Sequence, residues 1–449
     1  MATIPKIKVK TNSSVDILNA IRNSSITNYK DYVPVATDIE SIKTIGRCLF
    51  DSPNLMNEFL NTLLNRIALV NVVNREYKNP LARMKKGFIT EGETIEEVYV
   101  DIAKAHQYDT DVAVNEVFKK ENPDVKTAFH ILNFQKFYKR TINRNELSMA
   151  FNSLSGLSDF VSKLIETMYT TNEYHDYVMT KYVIARNILD GRFFPIDVSA
   201  TQTKDKAEKI RATTNNFNFM SRKFNVAGVM TNTPDDNKLL LVDTNFDAKM
   251  DIDVLAYAFN MTKAEYLSKR ILIDGFGEFD DDVLKELFEG DENFTPFTEE
   301  EKTALNSIPA ILVDENFFQI YDVLQEVTDI QNPQGLYWNY WLHIWRVYSA
   351  SPFANRAVFT PVTPRVISIT PAFTEITVAK GSTLDLSATV KTEGFASEVI
   401  NFSSNSNEIT ISSSGVVKIP ATAKSGVVTI TLTSDFDPSK TATVSVTVK

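Results

Sequence analysis

Four histidines and a single cysteine are the side chains of this sequence best suited to metal binding or nucleophilic chemistry. The histidines are His106, His130, His175 and His343. None lies within five residues of another, whereas zinc sites use pairs of Cys or His ligands a few residues apart. Cys48, next to Leu49 and Phe50, is a lone thiol in apolar sequence, which favours a buried filler over a nucleophile. These residues predict neither a metal site nor a catalytic thiol.

Acidic and glycine-containing stretches of the sequence match motifs of known chemistry only in part. The segment from Asp243 to Asp247 begins like a calcium loop, but Ala248 and Val254 occupy the positions that need Gly and Glu. Adjacent carboxylates such as Glu96 and Glu97 do not face each other on a helix or strand, which argues against an acid/base pair. No G-x-S-x-G, Walker A or G-x-G-x-x-G motif occurs. The sequence therefore predicts no enzyme, no cofactor and no metal.

Charge is separated along residues 75–110 in a way that predicts a contact. The basic side chains are Arg75, Lys78, Arg83, Lys85 and Lys86. The acidic side chains are Glu91, Glu93, Glu96, Glu97 and Asp101. Glycines lie between the basic and the acidic residues, and β-forming residues lie among the acidic ones. The pattern predicts a long hairpin with one basic and one acidic arm. Either the two arms pair with each other in solvent, or they reach a neighbouring subunit chosen by complementary charge.

If the second interpretation holds, a set of charged residues makes the inter-subunit contact. The predicted contact residues are Arg83, Lys85, Lys86, Glu93, Glu96 and Glu97.

The elements that would hold such an arm are also visible in the sequence. Apolar residues at helical spacing predict helices at 15–24, 52–66 and 157–190, the last ending at Asp190-Gly191. At 1.5 Å per residue the last helix is roughly 50 Å long, which suits a structural spine better than a compact enzyme. The three tryptophans, Trp338, Trp341 and Trp345, form an aromatic cluster that predicts core or subunit interface, with a ligand platform as the alternative.

The last 85 residues have a different composition from the rest of the chain. Residues 365–449 lack Tyr, Trp, His, Met and Cys, and apolar and polar residues alternate, as in Val428, Ile430 and Leu432. Turn residues at regular intervals predict short strands and a small immunoglobulin-type sandwich. The segment Pro361-Val-Thr-Pro364 predicts a short stiff linker before it.

Composition excludes some classes of function. The chain has 449 residues and a formal net charge of −10, all of it on the part before residue 365. An acidic body disfavours tight non-specific binding to nucleic acid. No stretch of 18 apolar residues occurs, so no membrane-spanning helix is expected. The lone Cys48 fits assembly in a reducing cytosol.

Short segments across residues 15–355 resemble the major capsid protein of phi 29-like short-tailed phages. They include Tyr32-Val-Pro34, Asn79-Pro-Leu81, Lys85-Lys-Gly87, Thr94-Ile-Glu-Glu97, Gln107-Tyr-Asp109, Asp251-Ile-Asp-Val-Leu-Ala256, Asn332-Pro-Gln-Gly-Leu-Tyr-Trp-Asn-Tyr340 and Phe353-Ala-Asn355. Ile400-Asn-Phe-Ser-Ser-Asn405 and Ser414-Gly-Val-Val417 resemble the bacterial group 2 immunoglobulin-like domain, with Phe402 where that pattern usually has Trp.

The resemblance implies an α+β chain with the Hong Kong 97-type capsid fold and a C-terminal all-β immunoglobulin-like domain. Residues 1–360 would be the capsid body and 365–449 the immunoglobulin-like domain. Within the body, 75–110 would be the extended loop, 157–190 the spine helix of the peripheral domain, and about 192–335 the apical domain. The aromatic strands of about 336–360 would return to the peripheral domain.

The implied function is structural. Many copies would form pentamers and hexamers of an icosahedral or prolate head, enclosing double-stranded DNA without sequence-specific binding. Scaffolding and portal proteins would be partners, and no membrane would be bound. The protein would assemble in the host cytoplasm and remain in the virion. The alternatives are a tail fibre or host-surface adhesin with an immunoglobulin-like module, and a hydrolase with a wall-binding module.

Overall fold

The structure is a computed structural model that describes residues 14–25, 27–70, 77–89, 92, 94–106, 120–152, 156–199, 203–249, 270–291 and 294–449. The chain divides into two compact units. The first unit contains Met1–Thr94, Ile131–Met179 and Ile320–Tyr348. The second contains Ile95–His130, Thr180–Gln319 and Ser349–Lys449.

The helices of the described residues include all three that the sequence predicts. They are α1 (Ser14–Ser24), α2 (Thr27–Tyr32), α3 (Ile39–Asp51), α4 (Pro53–Val70), α5 (Arg144–Ala150), α6 (Gly156–Leu189), α7 (Thr203–Asn216), α8 (Thr244–Lys249), α9 (Asp281–Leu287) and α10 (Glu299–Asn306). The predicted helices correspond to α1, α4 and α6. Of these described helices, none combines the length and the hydropathy needed to cross a membrane.

The strands before residue 361 are distributed between the two units. They are β1 (Lys85–Phe88), β2 (Thr94–Val100), β3 (Val125–Ile131), β4 (Phe134–Asn143), β5 (Phe194–Asp197), β6 (Lys238–Asp243), β7 (Arg270–Ile273), β8 (Ala310–Asp314), β9 (Phe318–Asn332), β10 (Tyr337–Ala350) and β11 (Arg356–Thr360).

A four-stranded sheet with the order β1-β9-β10-β4 forms the first unit's β-structure. Strand β10 pairs antiparallel with β4 from Tyr337 opposite Asn143 to Arg346 opposite Phe134. Side chains of β10 alternate between buried and half-buried, as the period-two geometry of a strand requires. Trp338 is on the buried face, which confirms a core position for that residue, while Trp341 and Trp345 are on the half-buried face.

A five-stranded sheet with the order β5-β11-β8-β6-β7 lies in the second unit. Every residue of β8 and β11 is buried, and apolar side chains from α7 pack against the sheet. Strand β11 belongs to this sheet and β10 to the other, so the aromatic stretch 336–360 contributes a strand to each sheet. Strand β9 belongs to the first sheet, where it hydrogen-bonds to β1 and β10.

The predicted hairpin within 75–110 is wrong in its pairing. Strand β1, with the basic residues, runs parallel to β9, and β2, with the acidic residues, pairs with β3. The two charged segments therefore hydrogen-bond to strands distant in sequence and not to each other. Hydrogen-bonding partners of a strand depend on the whole sheet, and local charge does not determine them. The segment that does form a two-stranded unit is β2–β3, which we call the arm.

Residues 365–449 fold entirely as strands and turns. The strands are β12 (Arg365–Pro371), β13 (Glu375–Val378), β14 (Thr383–Asp385), β15 (Ala388–Glu393), β16 (Ile400–Ser404), β17 (Thr410–Ile411), β18 (Val416–Lys418), β19 (Gly426–Ser434) and β20 (Thr441–Val448). They form sheets with the orders β12-β15, β13-β20-β19-β16 and β14-β18-β17. The alternating residues of β19 and β20 supply one hydrophobic core, with Ile430, Leu432, Val444 and Val446 fully buried.

The linker segment 361–364 contacts the second unit's body. The Thr363 hydroxyl donates to the Asp197 carboxylate at 3.1 Å, at the end of β5. The Thr360 hydroxyl receives the amide N–H of Val362. The prolines of this segment do interrupt regular structure between β11 and β12, as the sequence predicts.

Candidate functional site

Lys85, predicted to contact a neighbouring subunit, lies instead in a buried ion cluster of its own chain. Its Nζ is 3.0 Å from the Asp176 carboxylate on α6 and 3.9 Å from that of Asp322 on β9. Arg346 of β10 completes the cluster, with Nη1 3.3 Å from Asp176 and Nε hydrogen-bonded to Asp322. We call these four residues the buried ion cluster. It joins β1, α6, β9 and β10 within the first unit.

The electrostatics of the cluster explain why charged groups are tolerated in the core. Two cations face two carboxylates, and the Tyr348 hydroxyl donates to Asp176 at 2.7 Å. Burial by itself would lower the pKa of Arg346, but Tyr348, Asp176 and Asp322 outweigh it and hold that pKa above its usual range. Charges that are paired and hydrogen-bonded avoid most of the cost of burial. Lys85 therefore positions the start of β1 and is not available to a partner.

The other predicted contact residues divide into three groups. Arg83, Lys86 and Glu96 are exposed, so their position agrees with a surface role. Glu93 lies outside the described residues. Glu97 is partly buried and hydrogen-bonds within its own chain, so it anchors the arm.

The anchor of the arm is built around His130 of β3, whose side chain is buried. Its Nε2 lies 3.1 Å from Glu97 Oε2, and its Nδ1 lies 2.7 Å from the Ser349 hydroxyl. The Ser351 hydroxyl donates to the other Glu97 oxygen at 2.8 Å. We call these four residues the arm anchor. Ser, His and Glu are also the components of hydrolytic triads. The imidazole of His130 is buried and cannot contact a substrate, so the arm anchor holds the arm against the end of β10.

Further contacts fix the same face of the arm to the 220–231 segment. The Tyr99 hydroxyl donates to the Met230 carbonyl at 2.8 Å, and Lys126 Nζ donates to the Ala227 carbonyl at 2.7 Å. Arg222 pairs with Asp101 at 2.8 Å, and this hydrogen bond holds the pKa of the Asp101 carboxyl below its usual value. The polar inward side chains of β2 and β3 thus make their contacts within the second unit.

The outward face of the arm is apolar and exposed. Strands alternate their side chains, so the residues between the anchoring ones point away from the body. The exposed apolar residues of this face are Val98, Val100, Val125, Phe129 and Ile131. Phe129 is 62% exposed and Ile131 is 60% exposed. A cluster of large apolar side chains on one solvent-facing strand pair marks an interaction surface.

The half-buried face of the first unit's sheet is a second aromatic surface. Trp341, His343 and Trp345 alternate along β10, and Phe137 lies opposite His343 with 5.9 Å between the ring centroids. Phe137 is 58% exposed. Lys139 lies opposite Trp341, with its Nζ 5.6 Å from the indole ring centre. Tryptophan and phenylalanine with a flanking cation are the residue types that anchor protein interfaces.

The calcium-like acidic segment is used internally. The carboxylate of Asp247 pairs with Arg270 at the start of β7, with Nη1 2.6 Å from Oδ1. Asp243 receives the amide N–H of Phe246 at 2.9 Å. Across the part of the chain that the structure describes, no group of three or more His, Cys, Asp or Glu side chains converges on one point.

Residues 18–360 match the family model described as Phi29-like phage major capsid protein. The chain belongs to this family. The match extends from α1 to the end of β11 and so includes the buried ion cluster, the arm and the aromatic sheet face. The predicted resemblance of the body is therefore confirmed.

Individual relatives agree with the family. The chain is 35% identical over 430 residues to the major capsid protein of Bacillus phage B103, covering 93% of this chain and 89% of that protein. It is 34% identical over 381 residues to the major capsid protein of Bacillus phage PZA, covering 83% of this chain and 78% of that protein. The capsid structure of Staphylococcus phage Andhra matches with a TM-score of 0.50 and 14% identity, covering 64% of this chain and 85% of that chain. The chain is a major capsid protein of a phage head with a mixed α+β capsid fold.

Sequence reasoning missed several residues that position the arm of this phi 29-like capsid protein. His130, Ser349 and Ser351 carry no motif, and the serines lie more than 200 residues from the arm. A usable signal was present at Glu97, which lies between Ile95 and Tyr99 on the inward side of β2. A titratable residue at an inward strand position indicates a partner elsewhere in the fold.

Proposed function

We propose that this capsid protein assembles in many copies, as pentamers and hexamers, into a closed head around double-stranded DNA, and that the arm contacts the neighbouring copy. The observation that carries the proposal is the arm's exposed apolar face, with Val98 54% and Phe129 62% exposed. Membership of a major capsid family makes a second copy the partner present in the greatest number. Burying this face would remove its apolar side chains from water, which favours association.

The chemistry of the arm differs from the charged contact that the sequence suggests. Lys85 and Glu97 are occupied within the chain, so apolar burial supplies the main contact in this proposal. Arg83, Lys86 and Glu96 are exposed and would tune the choice and orientation of the neighbour, as charges at the rim of an interface do. The aromatic sheet face with Trp341, Trp345 and Phe137 is the surface whose residue types match the arm.

We also infer the domain roles that the family likeness suggests. In this proposal α6 is the spine helix of the peripheral domain, and residues of about 192–335 supply the apical domain. Residues 365–449 would form an immunoglobulin-like sandwich, supported by their three small sheets and two buried apolar clusters. Scaffolding and portal proteins would be further partners, and the packaged DNA would be held without sequence-specific contacts.

The test replaces apolar side chains on the arm's outward face by carboxylates. Val98→Asp or Phe129→Asp, each at an exposed position, leaves the fold intact because the inward contacts of the arm remain. Each is expected to lower the yield of shells about tenfold or more, since a charge would be buried at the contact. Shell yield is measured by sedimentation and electron microscopy after co-expression with the phage's scaffolding protein.

Val427→Asp is the matched control, because Val427 is 64% exposed on β19, outside the proposed contact. It should leave shell yield unchanged. Circular dichroism and melting temperature confirm that each variant is folded. Normal shell yield from both arm variants would remove the arm from the assembly contact, and Trp341→Asp then reports separately whether the aromatic sheet face takes part.

A further inference from the structure

Arg356, at the start of β11, is a buried cation that differs from the other buried cations of this protein. Among the described residues, the buried lysines and arginines are Lys181, Lys238, Arg346 and Arg356. The first three pair with Asp274, Asp235 and the buried ion cluster respectively. Within the described part of the chain, no carboxylate oxygen lies within 4.0 Å of the Arg356 guanidinium. The fold thus neutralises every buried cation of this set except one.

The contacts of Arg356 leave one edge of its guanidinium without an acceptor. The side chain is 1% exposed, and Nη1 donates to the Ser351 carbonyl at 3.1 Å. Nε is buried and, of the described residues, none accepts its hydrogen. The ring centres of Phe317 and Phe193 lie 5.2 and 5.9 Å from the guanidinium carbon. Aromatic faces attract a cation, but they accept its N–H hydrogens poorly.

A buried cation with an unused N–H edge is costly, and folded proteins satisfy nearly all such groups. Burial, with Arg192 nearby, lowers the pKa of Arg356 to about 9, so the side chain is still charged at neutral pH. A neutral acceptor would complete the hydrogen bonding of the guanidinium but leave its positive charge unpaired. An anion would accept the hydrogen bond and also neutralise the charge.

We propose that the free edge of the Arg356 guanidinium binds a small monovalent anion such as chloride. The size limit follows from burial, because a side chain that is 1% exposed cannot receive a carboxylate carried by another protein or a nucleic-acid phosphate. The ligand type follows from the donor, since the Nε edge of arginine presents N–H groups in a fork that suits an anion. The two phenylalanine rings border the site with apolar surface, and attraction between charges is stronger in such low-dielectric surroundings.

The site has a consequence for the arm. Ser351 accepts from Arg356 through its carbonyl and donates from its hydroxyl to Glu97, so it joins the anion site to the arm anchor. Tyr99 of the arm stacks on Phe353 in the same turn, with 5.8 Å between centroids. Neutralising Arg356 would therefore stabilise the turn on which the arm is seated, whether or not the arm contacts a neighbouring copy.

The test measures the melting temperature of the full-length chain in sodium chloride and in sodium gluconate at matched ionic strength. Gluconate is too large for the site, so it controls for charge screening. Chloride is expected to raise the melting temperature by on the order of 2 °C for each tenfold increase above half-saturation, and gluconate is not. Chloride-35 line broadening by the folded protein gives a readout that does not depend on unfolding.

Variants assign the effect to Arg356. Arg356→Met removes the charge and the donors at similar length and should abolish both the chloride dependence and the line broadening. Arg192→Met, at an exposed neighbouring position, should keep both. Coincident chloride and gluconate curves for the wild-type chain would overturn the proposal, and so would a chloride effect that survives in Arg356→Met. If Arg356→Met does not fold, Arg356→Lys, which keeps the charge but loses the fork, should bind chloride more weakly.

Discussion

Two adjacent lysines of this capsid protein differ in burial, because successive residues of a strand point to opposite faces of the sheet. Lys85 and Lys86 follow each other on β1, so their side chains point to opposite faces. Lys85 reaches Asp176 and Asp322 in the first unit, while Lys86 is exposed. A pair of lysines in sequence predicts a basic surface, but only the sheet decides which of them is on it.

Replacing Lys85 by Met is expected to destabilise the fold, because it leaves Asp176 and Asp322 with one fewer cation in a buried site. Removing one partner of a buried ion pair costs about 3 kcal/mol. Lys86→Met is the matched control and should cost less than about 1 kcal/mol, as surface pairs do. Urea unfolding followed by circular dichroism measures both. Equal midpoints for the two variants would show that the buried ion cluster contributes nothing to stability.

Residue chemistry was the level at which sequence reasoning was weakest. It left Asp243 and Asp247 out of a calcium site, and in the structure Asp247 pairs with Arg270. It could not place Arg346 or Arg356 in the core, because an arginine in a strand is normally a surface residue and nothing local indicates its partner. Whether a charged side chain is buried depends on the whole fold, so the pattern of a single strand does not predict it.

At the scale of elements, periodicity predicted helices and strands but not their partners. Helix α6 spans Gly156–Leu189, close to the predicted 157–190. The prediction succeeds because the helical spacing of apolar residues and the glycine after the helix, Gly191, are local features. The pairing of β1 with β9, more than 200 residues away, is not local. Charge separation along 75–110 therefore led to a hairpin that the hydrogen bonds do not form.

Gly191, the glycine that follows α6, lies against the turn between β15 and β16. Gly191 has φ +64°, and a Cβ added there would lie 3.0 Å from Ser397 Cα. We expect Gly191→Ala to cost about 2–3 kcal/mol, the strain of a left-handed alanine plus displacement of the 396–398 segment.

Gly290→Ala isolates the contact from the strain. Gly290 has φ +86°, but a Cβ added there meets nothing within 4 Å, so only the strain of about 1 kcal/mol applies. Differential scanning calorimetry of both variants gives the difference. If the two melting temperatures fall equally, the backbone of 396–398 moves away freely and does not hold the C-terminal strands to the end of α6.

At the scale of the whole molecule, the composition change at residue 365 indicates a second core, and the structure contains one. The buried cluster of the five-stranded sheet and α7 draws only on residues between 194 and 359. The cluster of β12–β20 draws only on residues between 369 and 448. The change at residue 365 was visible in the sequence, because alternation and turn residues are local signals that repeat many times in the segment. That residues 365–449 form a separate domain stays a prediction, since they belong to the same compact unit as Thr180–Gln319.

Because the two cores share no residue, a chain that ends at Thr363 should keep its body folded. Burial of apolar side chains is the main contribution to stability, and truncation leaves the apolar side chains of the body's core buried. The contact between Thr363 and Asp197 also stays with the body. The loss of the 396–398 segment from Gly191 should lower the melting temperature by only a few degrees, on the order of a 1–2 kcal/mol change. Residues 365–449 alone should unfold in one cooperative transition. Both fragments are compared with the full chain by calorimetry, and an insoluble or molten body after truncation would show that the C-terminal strands are part of the fold of the capsid body.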